Sequence, residues 1–170
     1  MSYVQANVVQ FTKMLRNLDG WLEKAKAFCE KKNIEPTVLL QSRLAPDMLP
    51  LMFQCQTACD GTKFYAARLS GKEAPKHPDT ETTLEQIRAR IRSVIEYLSG
   101  FKEGDFAGAE DRKVPLSFLP GKGLAGKDFS TEMNVPNTYF HFTMAYAILR
   151  HSGVELGKQD YIGSLNLIDV

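Results

Sequence analysis

Apolar residues recur every three or four positions at Val4, Val8, Phe11, Leu15, Leu18, Leu22, Ala25 and Cys29. This spacing predicts one long amphipathic helix from about Tyr3 to Lys32, with its apolar face against a bundle. Gly20 weakens that helix by about 1 kcal/mol relative to alanine, but the stripe runs on through it. Asn33 and Pro36 mark the exit. EPTVLLQSRLAP has room for a short helix. A second long stripe follows at Met48, Met52, Cys55, Cys59, Thr62, Ala66 and Leu69, with Asp47 as its expected N-cap and Gly71 as its end. KEAPKHPD, rich in breakers, reads as a connector. Leu84, Ile87, Ile91, Val94 and Leu98 form the third stripe, capped by Thr80 or Thr82, with Glu85 completing a box-like pattern after Thr82. Arg88, Arg90 and Arg92 lie partly outside it, on a solvated face or at a buried anion contact.

Helical periodicity then stops between Gly100 and Gly126. Val114, Leu116 and Phe118 alternate before a PGKG turn, which suits a hairpin or an irregular flap. LPGKG is too short for a phosphate loop. A short helical piece is expected over Lys127–Met133. The fourth bundle helix follows from about Asn137 to Ser152, with Asn137 as cap and Gly153 as C-terminal stop. The pattern as a whole predicts an all-α four-helix bundle with a long irregular or hairpin connection before its last helix, in one domain over 1–170.

Composition adds little beyond this. A 44% hydrophobic, 24% charged chain with a formal net charge of +1 is an ordinary globular protein with no global pull on nucleic acid or anionic membrane. No apolar run is long enough to span a bilayer, and the N-terminus lacks the pattern of a signal peptide. Three cysteines leave at least one unpaired within the chain, which favours a reducing, cytoplasmic setting.

Candidate chemistry centres on PNTYFHFTMAYAILRH. His141 and His151 are ten residues apart, about 80° around a helix and roughly 15 Å along it, so they cannot readily share one metal. His141, a polar ring among aromatics, is a metal-ligand or catalytic candidate as well as a hydrogen-bonded pocket histidine. His151 suits the terminal carbonyls of its helix, and His77, between prolines, is expected at the surface. Cys55 and Cys59 share a face and could be soft ligands, but they also sit in the apolar stripe. Gln56 and Asp60 form a one-turn pair. Asp60 could orient His141 or share a metal with it, or could cap, face solvent or pair with an arginine. Glu81 reads as an exposed first-turn acid or a group at the bundle mouth. Arg43, Gln56, Asn137, Tyr139 and Tyr146 are the candidate ligand-binding residues.

RLAPDMLPLMFQCQTACD at 43–60, DTETTLEQIRARI at 79–91 and PNTYFHFTMAYAILRHSGVELGKQDYIG at 136–163 resemble the DUF1993 family, within the DinB/YfiT-like group of metalloenzyme-like bundles. The resemblance implies a DinB-like four-helix bundle, often a homodimer. It also implies a metal held by a histidine of the second bundle helix and an HxxxH pair on the last. Here the position after His141 in that pair is Ala145, and the second helix has no histidine. The expected function is therefore small-molecule binding or a structural homodimer with a degenerate metal site. The alternative is a hydrolase or thiol transferase using a divalent metal such as zinc or nickel, held by His141 and Asp60.

Overall fold

The computed structural model describes all 170 residues. Helix α1 runs Tyr3–Lys32, from a Ser2 cap to Asn33, whose left-handed backbone closes the helix end. Every residue of its sequence stripe is buried. Helix α2 spans Pro36–Leu40, α3 Leu51–Ser70 and α4 Leu84–Ser99. Strands β1 (Lys113–Pro115) and β2 (Gly123–Ala125) form an antiparallel hairpin. Helix α5 (Gly126–Asp128) passes into a wider π turn over Phe129–Asn134, which feeds α6 (Val135–His151); α7 is Lys158–Ile162.

Side-chain pairings give the directions of the four long helices. Asn134 and His141 of the last segment reach Gly61 and Gln54, so α6 is antiparallel to α3. Phe11 meets Tyr139 and Trp21 meets Tyr146, so α1 and α6 run together. Gln56 bonds Glu81 just before α4, while Lys72 just after α3 pairs with Asp105 just after α4. Helices α3 and α4 are therefore parallel, and the bundle is up-down-down-up. A strap over 71–83 must return the chain along the bundle between them.

Local chemistry shifts several expected boundaries. Asp47 is exposed and does not cap α3; the helix begins after Pro50, which leaves Met48 outside it. The α4 cap is Thr83 rather than Thr80 or Thr82. Its hydroxyl accepts from the Gln86 N–H at 3.2 Å and Gln86 Oε1 accepts from the Thr83 N–H at 3.1 Å, so Gln86 replaces Glu85 in the box. Asn137 is not a cap, because the π turn already supplies a helical lead-in to α6. Gly153 lies one residue past the Ser152 cap, with φ +99°. The hairpin forms where alternation predicted it.

The core is one continuous apolar cluster built on the three stripes. Each fully buried leucine, isoleucine or phenylalanine contributes roughly 1.5–3 kcal/mol by removal from water. Tyr65 sits wholly inside, its hydroxyl bonded to Ser130 at 2.9 Å and accepting from Asn7 at 3.0 Å. No helix is long and apolar enough to cross a membrane.

Candidate functional site

Helix α3 packs against α1, α4 and α6 at once, so it has almost no solvent face. Polar residues on it are therefore buried, and they organise two separate polar centres.

The first lies in the seam between α3 and α6. The Gln54 amide donates to the Leu49 carbonyl at 3.0 Å, which turns Gln54 Oε1 towards His141. That oxygen lies 2.8 Å from His141 Nδ1, and because it can only accept, Nδ1 carries the proton. His141 Nε2 is then a lone-pair acceptor, and the ring's one hydrogen bond within the protein is the one at Nδ1. Phe53 and Phe140 flank the ring edge-on at 6.1 and 5.3 Å, and both are themselves exposed. Burial lowers the His141 pKa, so the ring is neutral at pH 7. Behind it, Asn134 Nδ2 donates to the Gly61 carbonyl at 3.1 Å, and Thr138 donates to Asn134 at 3.3 Å.

The second centre lies between α3, α4 and the strap. Arg90, 1% exposed, meets Asp60 and Asp79 at 2.6 Å and Glu81 at 3.1 Å. Lys63, 2% exposed, pairs with Asp60 at 2.7 Å. Its ammonium also lies 3.1 Å from His77 Nδ1, and since it can only donate, His77 Nε2–H is left to bond Ser93 Oγ at 3.2 Å. Gln56 donates to Glu81 at 2.9 Å. Arg90 is thus a buried anion contact, not part of a solvated face, whereas Arg88 pairs across the surface with Asp19 and Glu23. Glu81 is 11% exposed and ion-paired rather than a free first-turn acid. His77 is half-buried and tied down rather than loose at the surface.

The residues singled out in the sequence do not form one cluster. Gln54 and Asp60 are six positions apart on α3, about 9 Å along the helix and 120° around it. His141 accordingly faces α6's seam with Gln54, while Asp60 is engaged by Arg90 and Lys63 towards α4. Arg43 is exposed and donates to the Met48 carbonyl at 2.8 Å. Asn137 is exposed on α6. Tyr139 packs on Phe11 and Phe142, and Tyr146 on Trp21 and Tyr161. His151 is exposed at the end of α6.

A DinB-type metal centre would need further donors beside His141 Nε2. Ala145 occupies the next turn, Asp60 is held by two cations, and no three His, Cys, Asp or Glu side chains are placed to hold a metal ion. Burial drives the Cys55 thiol up, and drives Cys59 up to about 12, so both are protonated core residues at neutral pH. The residues present do not fit a three-ligand centre. Gln54, which sets the His141 tautomer, was not singled out in the sequence. No periodic signal marks it there, because α3 has neighbours on three sides.

The two tied histidines make stability depend on pH. Burial lowers the His77 pKa, reinforced by Lys63 and Arg90, as burial lowers that of His141. The unfolded chain takes up protons near the ordinary value of 6.5, while the folded chain resists them. Their contribution is therefore complete above about 6.5 and is lost as pH falls from there through the depressed folded values. Urea midpoints should drop between pH 7.5 and 5.5, and less steeply in a His77→Gln/His141→Gln variant. Parallel profiles would refute this.

A crystal structure of a DinB family member protein from Shewanella denitrificans is similar to this fold along its whole length. Its sequence is 48% identical, the match covers 99% of this chain and 98% of that one, and the TM-score is 0.93. No curated protein matches the chain. The profile described as a domain of unknown function, DUF1993, matches residues 3–162. With that match over nearly all its length, and with a bundle shared with a DinB family member, the chain belongs to the DUF1993 family.

Proposed function

We propose that this DinB-like bundle binds rather than catalyses. In this reading it is a homodimer whose α3–α6 face, closed by a second copy, receives a small apolar molecule carrying a hydrogen-bond donor. The observation that supports it is the His141 tautomer. Gln54 holds Nδ1, so Nε2 keeps a lone pair that no protein hydrogen bond takes, beside two exposed aromatic rings. Leu49, Phe53 and Phe140 are all exposed around it, which is costly surface for a bundle to leave in water. A donor group on the ligand would satisfy the imidazole, and the phenyl rings would cover its apolar part.

Light scattering on the purified protein is the direct measurement. Wild type should have the mass of two chains. A Phe53→Asp/Phe140→Asp variant should have the mass of one while keeping its helical circular dichroism. A wild-type monomer over the whole accessible concentration range would defeat the dimer. Zinc and nickel titration, with metal analysis of untagged protein, tests the competing hydrolase or transferase reading. Near-stoichiometric metal that disappears in His141→Ala would replace the binding assignment with a metal centre.

A further inference from the structure

Along α1, one surface combines charge, shape and an unexplained residue. Three cavities of about 270, 560 and 460 Å³ follow one another between α1 and the segment after α6. Neighbouring cavities share wall residues, Arg16 and Asn17 between the first two and Lys24 between the second and third, so they form one groove. Lys13, Arg16, Lys24, Lys31 and Lys32 line it, against only Asp160 and Glu155. Lys24 is paired with Asp160 at 2.6 Å, and the other four cations have no carboxylate within ion-pair distance. The chain as a whole carries a formal net charge of only +1, so this concentration of positive charge is local.

Gly20 lies on the wall of the middle cavity, halfway along α1. A Cβ built there meets nothing within 4 Å. Nothing inside the molecule therefore requires a helix-weakening residue at this point, in contrast to Gly61 and Gly126, whose neighbours crowd the missing Cβ. Ala27, two turns further on, is the next small residue of the same row and lines the third cavity. A bare helix surface between cations lets another backbone approach closely, and a partner helix reaches its shortest interaxial distance where both sides are small. Lys13 and Lys31 are roughly 27 Å apart along the axis, the length of about five helical turns.

We infer that this groove docks an acidic amphipathic helix of another protein, its small residues over Gly20 and Ala27 and its carboxylates on the unpaired cations. None of the groove's wall residues belongs to the His141 site.

The probe is a 21-residue helical peptide with an alanine stripe at heptad spacing flanked by glutamates, set against a scrambled peptide of the same composition. Binding is followed by calorimetry and by the emission of Trp21, the sole tryptophan, whose indole packs beside the middle cavity. The patterned peptide should bind at least about tenfold more tightly than the scramble, and salt should weaken it. Lys13→Glu/Lys31→Glu should weaken it by about tenfold or more. Gly20→Leu should weaken it comparably while melting no lower than wild type. Equal binding of both peptides, or indifference to charge reversal, would overturn the proposal. So would undiminished binding by Gly20→Leu, or tighter binding of an oligothymidylate than of the patterned peptide.

Discussion

Replacing Arg90 by leucine is expected to remove about 3 kcal/mol of stability, the low end of the range for a broken buried pair, because Glu81 is nearly buried while Asp79 is exposed. The guanidinium is 1% exposed and serves three carboxylates at once. Burial alone would lower its pKa, but Asp79, Asp60 and Glu81 outweigh that and hold it above the ordinary arginine value. Without it Asp60 retains Lys63, while Glu81 keeps the Gln56 amide and its own backbone N–H but no cation. Denaturant unfolding at pH 7 measures the loss, and a shift under about 1 kcal/mol would mean that the carboxylates simply turn to water. Acid should narrow the difference. Burial opposes ionisation of Glu81, but Gln56, its own backbone and Arg90 hold its pKa below 4.5. Its contribution is therefore present above about 4.5 and is lost as pH falls through the folded value.

Gly126→Ala should cost about 3 kcal/mol, the upper part of the range for overpacking. A Cβ there would overlap the Ala109 carbonyl oxygen and come within 2.9 Å of Leu69 Cδ2. The backbone cannot easily move away, because the Lys127 N–H donates to the Glu110 carbonyl at 2.9 Å beside it. The segment leaving the hairpin is thus pressed against the turn at 106–112. Gly104→Ala, with open space at its Cβ, is the control. A large drop in melting temperature for the first and almost none for the second is expected. Equal shifts would show that glycine content rather than contact decides the outcome.

The sequence was legible where helices have two distinct faces. Helices α1 and α4 have a dry side and a wet side, and their stripes of apolar residues are buried as expected. Helix α3 has neighbours on three sides, so contrast between faces disappears and Gln54, Gln56 and Lys63 are buried without any periodic sign. Arg90 was legible in principle. Its spacing from Ile87, Ile91 and Val94 places it on the apolar face, but its likeness to Arg88 and Arg92 concealed this. Its partners Asp79 and Glu81 belong to the strap, whose path depends on the parallel pairing of α3 and α4. His141 was recognisable as a polar ring in an aromatic helix. Its direction and tautomer were not, because both depend on Gln54 from a helix 87 positions away.

The parallel pairing of α3 with α4 also bears on the order of folding. Helix α1 can meet the antiparallel α3 through the link over 33–50 around α2, whereas the parallel α4 docks only once the strap over 71–83 has run back along the bundle. The chain-closure cost grows only slowly with loop length, so the strap delays α4 little by its length alone. Its ionic attachment needs α3, α4 and the strap all in place, so its contacts are expected to form after the rate-limiting step. The stability lost in Arg90→Leu should then appear as faster unfolding with nearly unchanged refolding, making the strap a brake on opening rather than a guide to assembly.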